Sequence, residues 1–274
     1  MCFDAAEKAD VIIMSGNFDD IPFVDGYYLD PIHAATSFVA NIYNLPDPWM
    51  GGTRFMARMK DKLDSFVVVG CDDSHYWWTL YGTFSDKAAG AVDLDFGPKA
   101  PHVGMLKCAF KPGSIAFLND AGEPTNIWPQ LKPSADFEFQ IKDCHTAFND
   151  INGLYTDPAL YKPGSFAGVR VISDRLGKMM RDELVLVGSD DGITFWSVHG
   201  GAWTDKVEGK FTIGEYIGSI NKGPKGTSPM EITLEGHDGP PWVKMMTKSD
   251  PKKLLDPELY PNNTVLGRDV YRKE

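Results

Sequence analysis

Asp64-Ser65-Phe66-Val67-Val68-Val69-Gly70-Cys71-Asp72-Asp73 returns 118 residues later as Asp182-Glu183-Leu184-Val185-Leu186-Val187-Gly188-Ser189-Asp190-Asp191. The match runs without a gap through Trp78 and Trp196 to Gly82 and Gly200. One inserted residue later, Phe84-Ser85-Asp86-Lys87 meets Trp203-Thr204-Asp205-Lys206, and Gly90 meets Gly209. A unit repeated at this spacing, far longer than a solenoid repeat, describes one module built twice.

The repeat extends in both directions. Upstream, Val24-Asp25-Gly26-Tyr27-Tyr28-Leu29-Asp30-Pro31 pairs with Ile151-Asn152-Gly153-Leu154-Tyr155-Thr156-Asp157-Pro158 at an offset of 127. The first copy therefore carries about nine more residues between the two blocks, as when a loop differs in length. Downstream, Ser114-Ile115-Ala116-Phe117-Leu118, Gly122 and Trp128 resemble Glu231-Ile232-Thr233-Leu234, Gly239 and Trp242, with gaps.

The quoted stretch reads as β-structure. Phe66 to Val69 and Leu184 to Val187 are short apolar runs bounded by turn residues, the pattern of a buried strand. Asp72-Asp73-Ser74 and Asp190-Asp191-Gly192 read as hairpin turns, because Asp bonds its own downstream backbone. Return strands are expected over His75–Tyr81 and Ile193–His199, with further turns at Ser85-Asp86-Lys87 and Thr204-Asp205-Lys206. More strands are expected at Thr53–Met59, Ala91–Phe96, Ser114–Leu118, Phe166–Ser173, Lys210–Ile213, Met230–Leu234 and Trp242–Met246. Helical signal is confined to Ala34–Tyr43 and to Phe137–Phe148, and Phe137-Glu138-Phe139-Gln140-Ile141 also alternates like a strand. The expected fold is all-β and predominantly antiparallel: two tandem pseudo-repeated sheet or sandwich modules with extended arms at both ends. The divisions are an N-terminal arm over 1–22, a first module over 23–135, a second over 136–249 with its connection at 136–150, and a tail over 250–274.

Composition limits the function classes. The 274 residues are 43% hydrophobic, with 16 Phe, 10 Tyr and 7 Trp, enough apolar material for two cores. A formal net charge of −11 disfavours nucleic acid and anionic membranes, and favours a basic partner. No apolar run is long enough to span a bilayer as a helix. No signal or transit peptide is read at Met1–Lys8. The four cysteines, Cys2, Cys71, Cys108 and Cys144, show no CxxC spacing, so free thiols in a reducing compartment are expected.

Candidate chemistry is sparse. The Asp72/Asp73 and Asp190/Asp191 pairs could hold a hard cation, but the spaced donor series and closing Glu of a calcium loop are absent, and turns explain them. His33, His75, His102, His145, His199 and His237 lack the close spacing of a zinc site. The Gly223–Ser228 turn lacks phosphate-loop spacing, and no G-x-S-x-G is present. No catalytic residue, cofactor or metal is expected. The aromatic set Trp77, Trp78, Phe84, Phe195, Trp196 and Trp203 is either a stacking platform or core; recurrence of Trp78 and Trp196 on a central strand favours core. Gly70, Gly188, Trp78, Trp196, Trp203 and Phe84 are taken as the core of the repeat. The segments in which the copies differ supply candidate assembly contacts: Trp49 in a loop of the first copy, Ile12 and Ile13 in the N-terminal arm, and Leu254, Leu255, Leu259, Tyr260, Leu266 and Tyr271 in the Pro-rich tail.

Two related β-rich regions bearing tryptophans, acidic character and an extended tail resemble the diatom pyrenoid shell proteins. The residues that carry the resemblance are Gly70–Lys87 and Gly188–Lys206, with Gly26–Pro31 and Gly153–Pro158, within residues 23–247. The resemblance implies a non-enzymatic protein that assembles with copies of itself into a sheet or tube around the Rubisco-filled pyrenoid, supporting carbon dioxide concentration. It implies Rubisco or other pyrenoid proteins as further partners, and the chloroplast stroma as the compartment; without it the expected compartment is the cytoplasm. Two other readings stand beside it: a β-barrel carrier whose aromatic strands line a ligand cavity, and a metal-dependent enzyme such as a carbonic anhydrase, which needs converging histidines.

Overall fold

Phe66, Val67, Val68 and Val69 are all fully buried, so the strand that contains them has no solvent face. Alternate residues along a strand point to opposite sides. Phe66 and Val68 point into one apolar cluster with Trp78, Leu80, Leu94 and Phe110. Val67 and Val69 point into a second, which also holds Val169, Val171, Val185 and Val187 from the other copy. A strand between two cores has no need of polar alternation, and the unbroken apolar run follows from that.

The computed structural model describes residues 24–34, 50–62, 64–73, 76–95, 105–141, 151–175, 183–222, 230–249 and 251–255. The first copy forms an eight-stranded antiparallel meander: β1 (Gly26–Leu29), β2 (Thr53–Arg58), β3 (Ser65–Cys71), β4 (Trp77–Asp86), β5 (Ala91–Asp95), β6 (Met105–Lys111), β7 (Ser114–Leu118) and β8 (Pro124–Pro129). It curls until Tyr28 of β1 bridges Gln130, just past β8, and Leu131 N donates to Tyr27 O at 2.7 Å. The connection contributes β9 (Phe139–Ile141). The second copy repeats the meander as β10 (Gly153–Thr156), β11 (Val169–Ser173), β12 (Leu184–Ser189), β13 (Phe195–Asp205), β14 (Lys210–Ile213), β15 (Tyr216–Lys222), β16 (Met230–Leu234) and β17 (Trp242–Thr247). This sheet closes through direct pairing of β10 with β17, and β9 adds to the far end of β17.

Each module is thus a sheet curled into a barrel, and its lumen is filled. All eight strands of the first copy send side chains into one cluster, from Tyr28 and Met56 to Phe117 and Trp128. The second lumen is filled in the same way, from Tyr155 and Ile172 to Ile232 and Trp242. The same tyrosine anchors both: Tyr28 Oη donates to Val24 O at 2.9 Å, and Tyr155 Oη to Ile151 O at 2.7 Å.

The third cluster is the seam between the barrels. Equivalent positions meet there from both copies: Tyr27 and Leu154, Phe55 and Val171, Val67 and Val185, Val69 and Val187, Trp77 and Phe195. Contribution of one patch from each of two like units is the property of a two-fold interface. Hydrogen bonds cross it, with Thr79 N donating to Arg175 O at 2.7 Å and the Ser197 hydroxyl to Arg58 O at 3.2 Å.

Several local expectations are revised. The extra residue of the second copy lies at Gly200 and not after it. Leu184 pairs with Gly201, as Phe66 pairs with Gly82, and a bulge between Leu184 and Leu186 absorbs Gly200 in a left-handed conformation (φ 76°). Asp86 and Asp205 end their strands, and the turns follow at 87–90 and 206–209. The connection carries a strand over Phe139–Ile141; of the helical region expected over Ala34–Tyr43 only Ala34 is described, as the last residue of a helical turn over 31–34. The strands at Gly26–Leu29, Met105–Lys111, Pro124–Pro129, Gly153–Thr156 and Tyr216–Lys222 are additional to those expected.

Candidate functional site

A second constellation built alike in both copies is an arginine buried inside each barrel. Arg54 sits on β2 and Arg170 on β11, in strands otherwise apolar at their centres. Arg54 is clamped between indoles, its Cζ 4.7 Å from the Trp78 ring centroid and 5.0 Å from that of Trp128. Arg170 lies 5.0 Å from Trp196 and 5.3 Å from Trp242 in the same sandwich. A guanidinium between two indole faces is stabilised by the negative π surfaces on both sides.

Gly70 and Gly188 make the clamp possible. A Cβ at Gly70 would come within 2.7 Å of the Trp78 ring and 2.8 Å of Arg54 Cδ; at Gly188 the corresponding distances are 2.6 Å and 3.0 Å. Their place in the repeat is therefore a steric requirement of the stack above them.

The edges of each guanidinium are taken by oxygens. Arg54 Nη2 donates to Asp30 Oδ2 at 2.8 Å and Asp72 Oδ1 at 2.7 Å; Nη1 donates to the carbonyls of Thr53 and Cys71. Arg170 Nη2 donates to Asp157 Oδ2 at 3.3 Å and Asp190 Oδ1 at 2.6 Å; Nη1 donates to the carbonyls of Val169 and Ser189. Burial drives the pKa of Asp30 up, but the Arg54 charge and then His33 overcome it and hold the carboxyl well below the usual range. Burial lowers the pKa of Arg170, and its two aspartates oppose that.

A histidine stands beside each clamp, from non-equivalent places. His33 Nδ1 is 2.7 Å from Asp30 Oδ2 in the first barrel. In the second, His237 comes from the β16–β17 loop, its Nε2 4.0 Å from Asp157 Oδ2. Asp72 and Asp190 are the first residues past β3 and β12, so each Asp-Asp pair both makes its turn and supplies a carboxylate to the clamp. Asp191 Oδ1 accepts from Ile193 N and Thr194 N at 2.7 Å, the local bonding that turn aspartates make.

The copies differ beside the clamp. Asp25 holds Arg58 in the first barrel, through Arg58 N at 2.6 Å and Nη2 at 2.9 Å. At the equivalent place Asn152 bonds Asp174, with Nδ2 donating to Asp174 Oδ1 at 2.7 Å and Asp174 N donating back to Oδ1 at 2.6 Å. Gln130 Nε2 donates to Asp25 O at 3.0 Å, and Lys244 Nζ takes its place on Asn152 O at 2.9 Å.

Among the residues singled out from sequence, Trp78 and Phe84 fill the first lumen, and Trp196 and Trp203 pack half-buried on the second. Trp77 and Phe195 belong to the seam. Leu254 and Leu255 are buried in the chain's own seam core, where Leu255 bridges Leu131 and Leu254 O accepts from Lys132 N; they are not available to a neighbouring subunit. Ile12, Ile13, Trp49, Leu259, Tyr260, Leu266 and Tyr271 lie outside the described residues. Among the described residues no group of three or more His, Cys, Asp or Glu side chains is placed to hold a metal ion. Sequence reading passed over Arg54 and Arg170. The signal for them was available: a charged residue inside an apolar strand, two positions after a glycine, in both copies.

Chemically, the clamp matches each guanidinium charge from within the chain and leaves only its Nε without a hydrogen-bond partner. Each Arg spends Nη1 and Nη2 on four oxygens and both faces on indoles, an arrangement that ties two strand ends and a loop to the barrel wall. The chain matches no model of a known protein family, no curated protein and no solved structure.

Proposed function

We propose that this chain is a non-enzymatic structural protein that assembles with copies of itself into a sheet or shell, the role implied by its resemblance to the diatom pyrenoid shell proteins. The observation that carries the reading is the seam. The module packs on its own duplicate through a buried patch drawn from equivalent positions, so its surface is complementary to a near-copy of itself. Two such modules in one chain form a pseudo-symmetric building block, and contacts that repeat without closing extend such a block into a layer.

The filled lumens weigh against a ligand carrier, since the aromatic side chains that would line a cavity pack on one another and on the arginines. The clamp groups serve each other, which favours rigidity over catalysis. On this reading the partner is a second copy, with Rubisco or other pyrenoid proteins as the enclosed material and the chloroplast as the compartment. The contacts between copies are assigned to Ile12, Ile13, Trp49, Leu259, Tyr260, Leu266 and Tyr271.

The test is light scattering and negative-stain microscopy of the purified chain beside two truncations, one lacking residues 1–20 and one lacking 256–274. The second cut is placed after Leu255 because Leu254 and Leu255 belong to the core. Large ordered particles from the full chain, lost in either truncation while the β-sheet circular dichroism is kept, support the reading. Particles that survive both truncations remove the arms from it.

A further inference from the structure

His199 of β13 stands at the rim of the seam between carboxylates of both barrels. Its Nε2 lies 3.1 Å from Asp61 Oδ1, on the β2–β3 turn of the first barrel. Its Nδ1 lies 3.9 Å from Glu183 Oε1, at the head of β12 in its own barrel. Glu183 Oε1 also accepts from Tyr81 Oη of the first barrel at 2.6 Å and from Gly200 N at 2.7 Å. The Tyr81 ring meets the imidazole edge-on at 6.3 Å. The other charged groups on the β2–β3 turn are Lys60, Lys62 and Asp64, the last paired with Lys87 of the β4–β5 turn, and β13 itself ends in Asp205.

A neutral imidazole carries one N–H and can donate to one carboxylate; an imidazolium carries two and can donate to both. Only the protonated ring completes an arrangement in which both nitrogens face carboxylates. We propose that His199 is a proton-dependent latch of the seam: protonated, it ties Asp61 of the first barrel to Glu183 of the second, and on deprotonation it releases one of them.

The position is where the copies diverge. His199 occupies in the second copy the place that Tyr81 occupies in the first, and the two rings face each other across the seam. The titratable member is thus on one side only. His33 has a similar bracket, with Nε2 3.8 Å from Asp72 Oδ2, but Arg54 Nη2 already serves both of those carboxylates and lies 3.3 Å from His33 Nδ1. A proton on His33 would bring two cations together, whereas at His199 it meets two carboxylates. Asp61 is held below its ordinary value, first by the hydrogen bond from His199, so it stays charged through the range in which histidines titrate.

The tie needs both ring N–H groups, so its contribution is expected where the ring is protonated and absent where it is neutral. The test compares melting temperatures of the full chain, H199Q and D61N at pH 5.5 and pH 8.0, where pH effects common to all three cancel. H199Q and D61N are each expected to melt about 1–3 °C below wild type at pH 5.5 and to converge with it at pH 8.0. Exchange protection of the Thr79 amide, which donates to Arg175 O across the seam, is expected to fall in both variants at pH 5.5 only. Offsets equal at the two pH values, or Thr79 protection unchanged by either variant, overturn the latch. Should H199Q fail to fold, D61N, whose site is half exposed, decides the comparison alone.

Discussion

Arg54 stacks on Trp78 with its Cζ 4.7 Å from the ring centroid, and both side chains are almost wholly buried. The pair recurs as Arg170 on Trp196, so the duplication preserved an expensive feature. A buried guanidinium is tolerated only with its charge matched and its donors satisfied.

Arg54→Met is accordingly expected to destabilise the chain by about 3–5 kcal/mol, because it leaves the Asp30 carboxylate buried without its main counter-charge. Urea unfolding followed by circular dichroism measures it. The acid limb should change as well. Asp30 is held below its ordinary pKa, so its pairing adds stability above the unfolded carboxylate value of about 3.9 and loses it only as pH falls below that. In Arg54→Met that acid-side loss should shrink, since the neutral carboxyl is no longer the disfavoured form.

Asp72 and Asp190 occupy equivalent places but differ in exposure, 17% against 59%. Asp72→Asn is therefore expected to cost about 1–3 kcal/mol, as loss of a charge-assisted bond to a buried group. Asp190→Asn should cost under about 1 kcal/mol, because water already competes for that carboxylate. Equal costs would show that exposure does not set the strength of the two pairs.

Gly70→Ala tests the steric account of the clamp. The added methyl meets the Trp78 ring and Arg54 Cδ at under 3 Å, so a loss of about 1–3 kcal/mol is expected from overpacking. A companion change, Trp78→Ala, should cost about 3–5 kcal/mol through the cavity it leaves. Near-ultraviolet circular dichroism should lose signal in both, since each disturbs the indole.

Asp25→Asn asks whether the second copy's solution works in the first. Burial, outweighing the Arg58 charge, holds the Asp25 carboxyl above its ordinary value, so its ionised form is disfavoured in the folded chain. The equivalent residue is already asparagine, at Asn152. The substitution is expected to change stability at pH 7 by less than about 1 kcal/mol. It should also remove a gain that wild type makes as pH falls towards the unfolded carboxylate value. Thermal melts at pH 4.5 and pH 7 check both.

Much of the architecture was legible because the repeat is written in strand runs and turns. Phe66–Val69 announced a strand with two buried faces, and its recurrence at Leu184–Val187 announced a second module. What escaped depended on closure. β6 and β8 carry Lys107, Pro124 and Asn126, too polar in sequence to read as strands, yet a barrel needs them to join its edges. The arginine clamp escaped for a related reason. Asp30, Arg54, Asp72, Trp78 and Trp128 are scattered over about 100 residues, and only the curl of the sheet brings them to one place. The role of Leu254 and Leu255 was hidden because an apolar tail reads alike whether it packs on its own chain or on another.

The central claim is that the chain builds an extended assembly from copies of itself. Negative-stain microscopy of the purified 274-residue chain, with its mass measured by light scattering, addresses this most directly. The account predicts ordered sheets or tubes with a lattice spacing and a mass far above 30.3 kDa. A single species at the mass of one chain, unchanged across concentration, salt and pH, would contradict it.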